Sequence, residues 1–278
     1  MIDSPLKWHG GKHYLAKKIV ALMPPTTQYV EPYAGGLSVL LERPEPYGAE
    51  IVNDKSRHLT NFWRVLQHEY MFEKFMRIMN NTPFSEDEFR CANSIVNDIG
   101  WDGLEEGNSE GMLMRACSFF INCRQSLAGR MKSFATLTKN RVRRGMNEQA
   151  SAWLTAIEGL QEVHERLRGV VILNRDALDV IWQQDTDNTV FYLDPPYMAE
   201  TRKSRSVYEH EMSRPDHDAL IATLSNIKGK FLLSGYHSDL YDKAAAECCW
   251  DCHEFELPNN AAGGEEKRVM TECVWTNF

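Results

Sequence analysis

Asp194-Pro195-Pro196-Tyr197 joins an acid, two residues without a backbone N–H, and an aromatic ring. The prolines stiffen the chain and leave peptide carbonyls as acceptors. The tetrapeptide follows the apolar run Thr189-Val190-Phe191-Tyr192-Leu193, which reads as a buried strand. The acid therefore stands at the carboxyl end of a strand, where open α/β sheets hold their ligands. An acid, bare carbonyls and a stacking surface suit a flat, amine-bearing substrate such as a nucleobase.

Other stretches carry chemistry of a compatible kind. Glu31-Pro32-Tyr33-Ala34-Gly35-Gly36-Leu37-Ser38 takes a short strand into a glycine turn, with a helix opening near Ser38. Glycines let backbone approach a ligand closely, and the helix start offers N–H donors. The G-x-G-x-x-G spacing of nicotinamide and flavin sites is absent. Asp54 closes the strand Glu50–Asp54 roughly 20 residues later, where an acid accepts from ribose hydroxyls or caps the next helix. Asn174-Arg175-Asp176-Ala177 is a further strand end with an acid. Three such acids (Asp54, Asp176 and Asp194) beside a glycine turn suit a cofactor with a ribose and an amine-bearing ring. Lys7-Trp8-His9-Gly10-Gly11-Lys12 is a flexible cationic loop fit for a carboxylate or phosphate, without the P-loop spacing. Cys248-Cys249-Trp250-Asp251-Cys252-His253, with Cys273, offers one Cys-x-x-Cys spacing, short of the four ligands of structural zinc. Thiols without a metal are expected there.

Net charge is −8, a balance that argues against nucleic acid as a partner. The distribution reverses that argument. Gly111 to Asn147 holds Arg115, Arg124, Arg130, Lys132, Lys139, Arg141, Arg143 and Arg144 and no acid, which leaves −16 on the rest of the chain. Phosphates respond to such a local field. Seven cysteines are an odd number for a disulfide framework. No apolar run is long enough to span a bilayer and no signal peptide opens the chain, so a cytoplasmic setting is expected.

These motifs need elements to position them. Leu15, Ile19, Leu22 and Met23 at helical spacing predict a helix over 13–23, ended by Pro24-Pro25. Strands at 29–33 and 50–54 and a helix through Leu59, Phe62, Trp63 and Leu66 follow. The strand pattern lapses from 68 to 165, a helical and loop-rich block with no clear alternation, and restarts at Val170–Asn174. It continues through 189–193, 230–234 and a terminal hairpin strand at 269–275. Strands alternating with helices predict an α/β fold with a mainly parallel sheet covered on both faces. The expected domains are 1–67 with 166–278, and an inserted helical domain at 68–165.

The motifs in their order, Lys7 to Lys12, Glu31 to Gly36, Asn53-Asp54 and Asp194 to Tyr197, resemble the Dam-like, D12 class adenine-N6 DNA methyltransferases. Asn122-Cys123-Arg124-Gln125-Ser126-Leu127-Ala128-Gly129-Arg130, Leu233-Ser234-Gly235-Tyr236 and Trp275-Thr276-Asn277 extend the likeness over nearly the whole chain. The family pattern F-x-G-x-G is altered here, with Tyr33 for Phe and Leu37 for the last Gly.

The resemblance implies a Rossmann-like methyltransferase sheet with an inserted target-recognition domain. It implies S-adenosylmethionine as cofactor, no metal, and double-stranded DNA as partner, bound by a monomer or by a dimer on the DNA. Trp8 and Lys12 would meet the cofactor's amino-acid end and sulfonium. Tyr33, Ala34, Gly35, Gly36 and Ser38 would wrap its methionine and ribose. Asp54 would hold the ribose, Asp176 and Ala177 the adenine, and Asp194 borders both ligands. Asp194, Pro195, Pro196 and Tyr197 would act on the N6 amine of a flipped adenine. Asn122, Arg124, Ser126, Arg130, Lys132, Lys139, Arg141, Arg143 and Arg144, with Arg202 and Lys203, would contact DNA. Cytosine N4 is the second candidate target, and a DNA-binding module without activity is the rival of another class.

Overall fold

A computed structural model describes residues 2–8, 10–44, 48–99, 108–137, 140–198, 211–258 and 269–278. Lys139, Arg202, Lys203, Arg205 and the stretch 263–268 lie outside the described residues. The strands are β1 Gln28–Glu31, β2 Ala49–Asn53, β3 Val142–Arg143, β4 Met146–Asn147, β5 Val170–Leu173, β6 Thr189–Leu193, β7 Lys230–Gly235, β8 Asp251–Pro258 and β9 Val269–Thr276. No helix among the described residues is long and apolar enough to cross a membrane.

The chain forms two compact units. One comprises Ala21–Ala34, Tyr47–Lys55 and Arg175–Phe278. Its strands pair in the order β2-β1-β6-β7-β9-β8. The first three pairings are parallel and the last two antiparallel. This is the mainly parallel α/β sheet that the strand pattern predicts. All five residues of β6 are buried, as a strand flanked on both edges and covered on both faces requires. Register aligns Val30 with Ile51 and Phe191, and Phe191 with Phe231, so an apolar row crosses the sheet.

Helices follow the sheet in the βαβ manner. Arg214–Leu224 links β6 to β7, opened by a capping box between Ser213 and Asp216. Asp239–Cys248 follows β7 and is capped by Ser238. The predicted terminal hairpin forms, and its other strand, β8, runs through the cysteine-rich segment that pattern reading leaves without a strand. β8 is the last strand in the order, and its Asp251, Glu254 and Glu256 are exposed charges of the kind that blunt a sheet edge.

The other unit comprises Met1–Val20, Gly35–Pro46 and Ser56–Asn174. Its centre is the helix Ser109–Gln125. Phe62, on the helix Arg57–Gln67, meets Phe75, Phe119 and Phe120 with ring centroids 5.9, 5.9 and 5.6 Å away. Trp153 adds a ring 5.3 Å from Phe120. That aromatic cluster draws 57–67 into this unit. The 68–165 block is not purely helical. β3 and β4 form a hairpin whose two turn residues, Arg144 and Gly145, have φ of 56° and 75°. Positive φ at both turn positions suits a tight two-residue hairpin.

Asn53 ties the end of β2 to two neighbouring segments. It is 1% exposed. Its Nδ2 donates to the carbonyls of Pro32 (3.0 Å) and Arg175 (3.1 Å), and its Oδ1 accepts from the Arg175 N–H at 2.9 Å. The Asn53 carbonyl accepts from Ala34 N–H at 2.9 Å. Each such bond contributes about 1 kcal/mol net, and buried partners left unpaired cost more. Asn53→Ala is expected to lower stability by about 2–4 kcal/mol. Urea denaturation should show a lower midpoint at an unchanged slope.

Candidate functional site

Parallel pairing of β2, β1, β6 and β7 puts all four carboxyl ends at one edge of the sheet. β2 lies on one side of β1 and β6 on the other, so the order of winding reverses between β1 and β6. Ligands of open α/β sheets bind in the crevice outside such a reversal. Tyr33 and Ala34 follow β1 there, Asp54 follows β2, Asp194 to Tyr197 follow β6, and Tyr236 follows β7.

Asp194 is half-buried, Pro195 buried and Pro196 half-buried. Tyr197 is 8% exposed and its hydroxyl donates to Glu272 Oε1 at 2.5 Å. Glu272, on β9, is 1% exposed. The Tyr236 ring meets Tyr197 edge-on at 4.8 Å. Burial holds the Tyr197 phenol well above its ordinary pKa, and the charges of Asp194 and Glu272 push it the same way. It therefore stays a protonated donor, and the ring is fixed by its far end. Beneath it, Tyr192 and Ser234 share a buried hydrogen bond of 3.0 Å. Pro195, Tyr197, Ser234, Tyr236 and Tyr241 line a small pocket. Burial raises the Tyr33 phenol too, helped by Tyr241, Asp176 and Asp216 nearby.

The two candidate acids outside the tetrapeptide differ in their local work. The helix after Asp54 is capped by Ser56, whose side chain accepts from Leu59 N–H. The capping reading of Asp54 is therefore set aside. Asp176 does cap a helix: it is exposed, and its Oδ1 accepts from Leu178 N–H at 2.9 Å at the start of Ala177–Gln184.

The glycine turn continues in the helical unit, where it meets the N-terminal loop. A Cβ on Gly35 (φ 49°) would come within 2.7 Å of Trp8 Nε1, and one on Gly36 within 2.8 Å of Trp8 Cβ. The glycines thus admit the Trp8 ring. Ser4 Oγ donates to the Gly36 carbonyl at 2.6 Å and Trp63 Nε1 to the Gly35 carbonyl at 3.2 Å. Lys12 is 3% exposed and its ammonium donates to the Gly10 carbonyl at 2.8 Å. Ser38 is half-buried at the start of the short helix Ser38–Glu42. Leu37 takes φ 57° and is fully buried. A left-handed Leu costs about 1–2 kcal/mol, against about 1.5–3 kcal/mol for burying the side chain. Burial offsets the strain, which accounts for a leucine where glycine is the easier residue.

The basic block is thinner than its composition suggests. Asn122 and Ser126 are both fully buried. Asn122 accepts from Asn93, and Ser126 accepts from Met131 N–H while donating to the Cys123 carbonyl. Both shape the 122–131 loop from inside. Arg115 is 1% exposed. Arg124 is half-buried and donates to the Ala152 carbonyl at 2.7 Å. Arg144 grips Glu158 through two hydrogen bonds of 2.9 and 2.8 Å. Arg141 stands 3.8 Å from Glu148. Arg130, Lys132 and Arg143 are exposed. Lys7, Arg141, Arg143 and Gln149 line an open cleft beside the hairpin.

The model of the D12 class N6 adenine-specific DNA methyltransferases matches residues 8–257. The chain belongs to this family. It is an adenine-specific DNA methyltransferase that takes its methyl group from S-adenosylmethionine and places it on adenine N6. No curated protein matches the chain. In this methyltransferase, Glu272 and Tyr236 are partners of Tyr197 that sequence reasoning missed. Tyr236 stands in the family-like stretch Leu233–Tyr236, which has no assigned role, and Glu272 carries no motif and lies 75 residues from the tyrosine it holds.

Lys7 shows what burial does to the loop's charge. Its ammonium donates to the Arg124 carbonyl (3.0 Å) and Gln149 Oε1 (3.2 Å). Burial, then the Arg124 charge, lowers its pKa to about 8 from the ordinary 10.5. Between those two values the unfolded chain holds the proton more tightly, so this group's contribution to stability rises with pH across that window. Acylation of the folded methyltransferase, followed residue by residue with mass spectrometry, should titrate Lys7 near pH 8. Exposed lysines should follow at about 10.4.

Proposed function

We propose that this methyltransferase acts as a monomer on a specific site in duplex DNA, in the cytoplasm, with the target adenine turned out of the helix. The observation that carries the reading is Asp194-Pro195-Pro196-Tyr197 at the carboxyl end of β6, beside the end of β1. N6 of adenine is a poor nucleophile because its lone pair is delocalised into the ring. Asp194 and the carbonyl of Pro195 or Pro196 each accept one N6–H. That draws the nitrogen toward sp³ and localises its lone pair. Orientation and fixed acceptors supply most of the acceleration. Turning the base out costs a few kcal/mol, and stacking on Tyr197 offsets about 1–3 kcal/mol of it.

The residues present fit the cofactor. The buried Lys12 ammonium suits a carboxylate, Asp54 suits paired hydroxyls, and the Gly35–Gly36 turn tolerates no side chain. We assign Trp8, Lys12, Tyr33, Ala34, Gly35, Gly36, Ser38 and Asp54 to it, with Asp176 and Ala177 at its adenine. Bound there, it supplies an electrophilic sulfonium methyl group. The exposed Arg130, Lys132 and Arg143 meet phosphates or guanine edges, aided by Arg141.

Duplex DNA incubated with labelled S-adenosylmethionine and digested to nucleosides should yield labelled N6-methyladenine, and 2-aminopurine at the target should brighten on binding. A label on cytosine, or an unchanged probe, would sink the reading. Asp194→Asn should lower kcat by about 10²–10³ with cofactor binding retained. Arg143→Ala should flatten the slope of log affinity against log salt by about one unit. Arg144→Ala should change it less, because Glu158 already holds that guanidinium. An unchanged slope for Arg143→Ala would place it off the DNA.

A further inference from the structure

The β8–β9 hairpin brings together ligand atoms that are far apart in sequence. In its register Cys252 faces Trp275 and Glu254 faces Cys273, so Cys252, Glu254 and Cys273 share one face of the pair. His237 follows the end of β7, where Gly235 pairs with Cys273. His237, Cys252 and Cys273 present ligand atoms that all lie within 4.8 Å of one another. Ligands on one tetrahedral zinc are about 3.5–4 Å apart, from bond lengths of about 2.0–2.3 Å. Small side-chain rotations close that difference.

The surroundings are those of a built metal site. His237 Nδ1 is 2.8 Å from Asp242 Oδ1, the carboxylate partner that orients a metal-ligating histidine. Nε2 faces Glu254 Oε1 at 3.3 Å, a contact in which a metal ion would take the place of the shared proton. We propose that His237 Nε2 and the Cys252 and Cys273 sulfurs bind a zinc ion, with the Glu254 carboxylate as fourth ligand and Asp242 positioning the imidazole. Two thiolates and an imidazole select a soft divalent cation over magnesium or calcium. Binding replaces both thiol protons, which leave to solvent as the two S–Zn bonds form, and no electrons are transferred. Cys248 and Cys249 take no part. Cys248 instead meets Ser225 Oγ at 3.3 Å.

The ion would join the end of β7 to β8 and β9. Successive residues of a strand face opposite sides, so Glu272 points away from Cys273 toward Tyr197. A clip at Cys273 would hold the strand that anchors the Tyr197 hydroxyl.

The test uses the full chain, stripped by a chelator under a phosphine reductant and titrated with cobalt(II). One molar equivalent should produce an intense thiolate-to-metal band with tetrahedral d–d absorption, and zinc should erase both. Cys252 is exposed, so Cys252→Ser should spare the fold, checked by circular dichroism, while abolishing the thiolate band or clearly weakening it. Asp242→Asn should keep the band and lower affinity about 10–100-fold. Cys248→Ser with Cys249→Ser should change nothing. Absence of a stoichiometric band, a band of full strength in Cys252→Ser, or its loss in the Cys248/Cys249 variant would overturn the assignment.

Discussion

Parallel pairing of Gln28–Val30 with Thr189–Phe191 is the contact from which the site's layout follows. Parallel neighbours cannot be joined by a tight turn, so the chain must leave and return through crossovers. That requirement makes room for a long excursion between β2 and β6. It also sends the carboxyl ends of β1 and β6 to the same edge, where Pro32-Tyr33-Ala34 and Asp194-Pro195-Pro196 meet the reversal of winding. Side-chain direction alternates along a strand, so a slip of one residue would turn the buried Phe191 toward the opposite face. With both faces of β6 buried, the shapes packed against each face set the register, not a contrast between core and solvent.

A second dependency runs through one buried carboxylate. Glu272 sits in β9 at 1% exposure. A buried carboxylate is costly unless it is hydrogen-bonded, and Tyr197 supplies a short bond from a phenol that burial keeps protonated. The bond makes the antiparallel hairpin part of the tetrapeptide's support. Asn53 does similar work at the other side, joining β2, Pro32 and Arg175. Both are buried side chains that hold backbone or ring in place.

The legible part of the sequence was the part written in short-range pattern. Apolar runs ending in Asp54, Asp176 and Asp194 marked strand ends, and the glycine turn marked a close approach. What stayed hidden depends on partners distant in the chain. β8 carries Cys252, His253, Glu254 and Glu256, too polar for an apolar run, and becomes a strand by pairing along its length with β9. The β3–β4 hairpin is too short for alternation to register, and Arg144-Gly145 was its one local sign. Charge counting could not see that Arg115 is buried, that Arg124 is held on Ala152, or that Arg144 is spoken for by Glu158. It also could not separate Asp54 from Asp176, alike as strand-end acids, of which only the second caps a helix through an observed bond.

An acidic chain that modifies DNA faces a physical difficulty, and the placement of its charges bears on it. With a net charge of −8, the whole molecule repels a polyanion at long range. Salt confines that repulsion to about 8–10 Å at ordinary ionic strength. Attraction must then come from close contacts, where a few exposed cations outweigh a screened background. The hairpin meets that condition in form. Its Val142 is 72% exposed and its Arg143 is exposed beside it, next to the turn. Pairing Arg144 with Glu158 holds the turn from one side. The ion pair fixes one arginine of the hairpin, and the contact proposed for Arg143 needs only its exposure. Among the described residues, Arg144 has a carboxylate in ion-pair range at Glu158, and Arg143 stands exposed beside it.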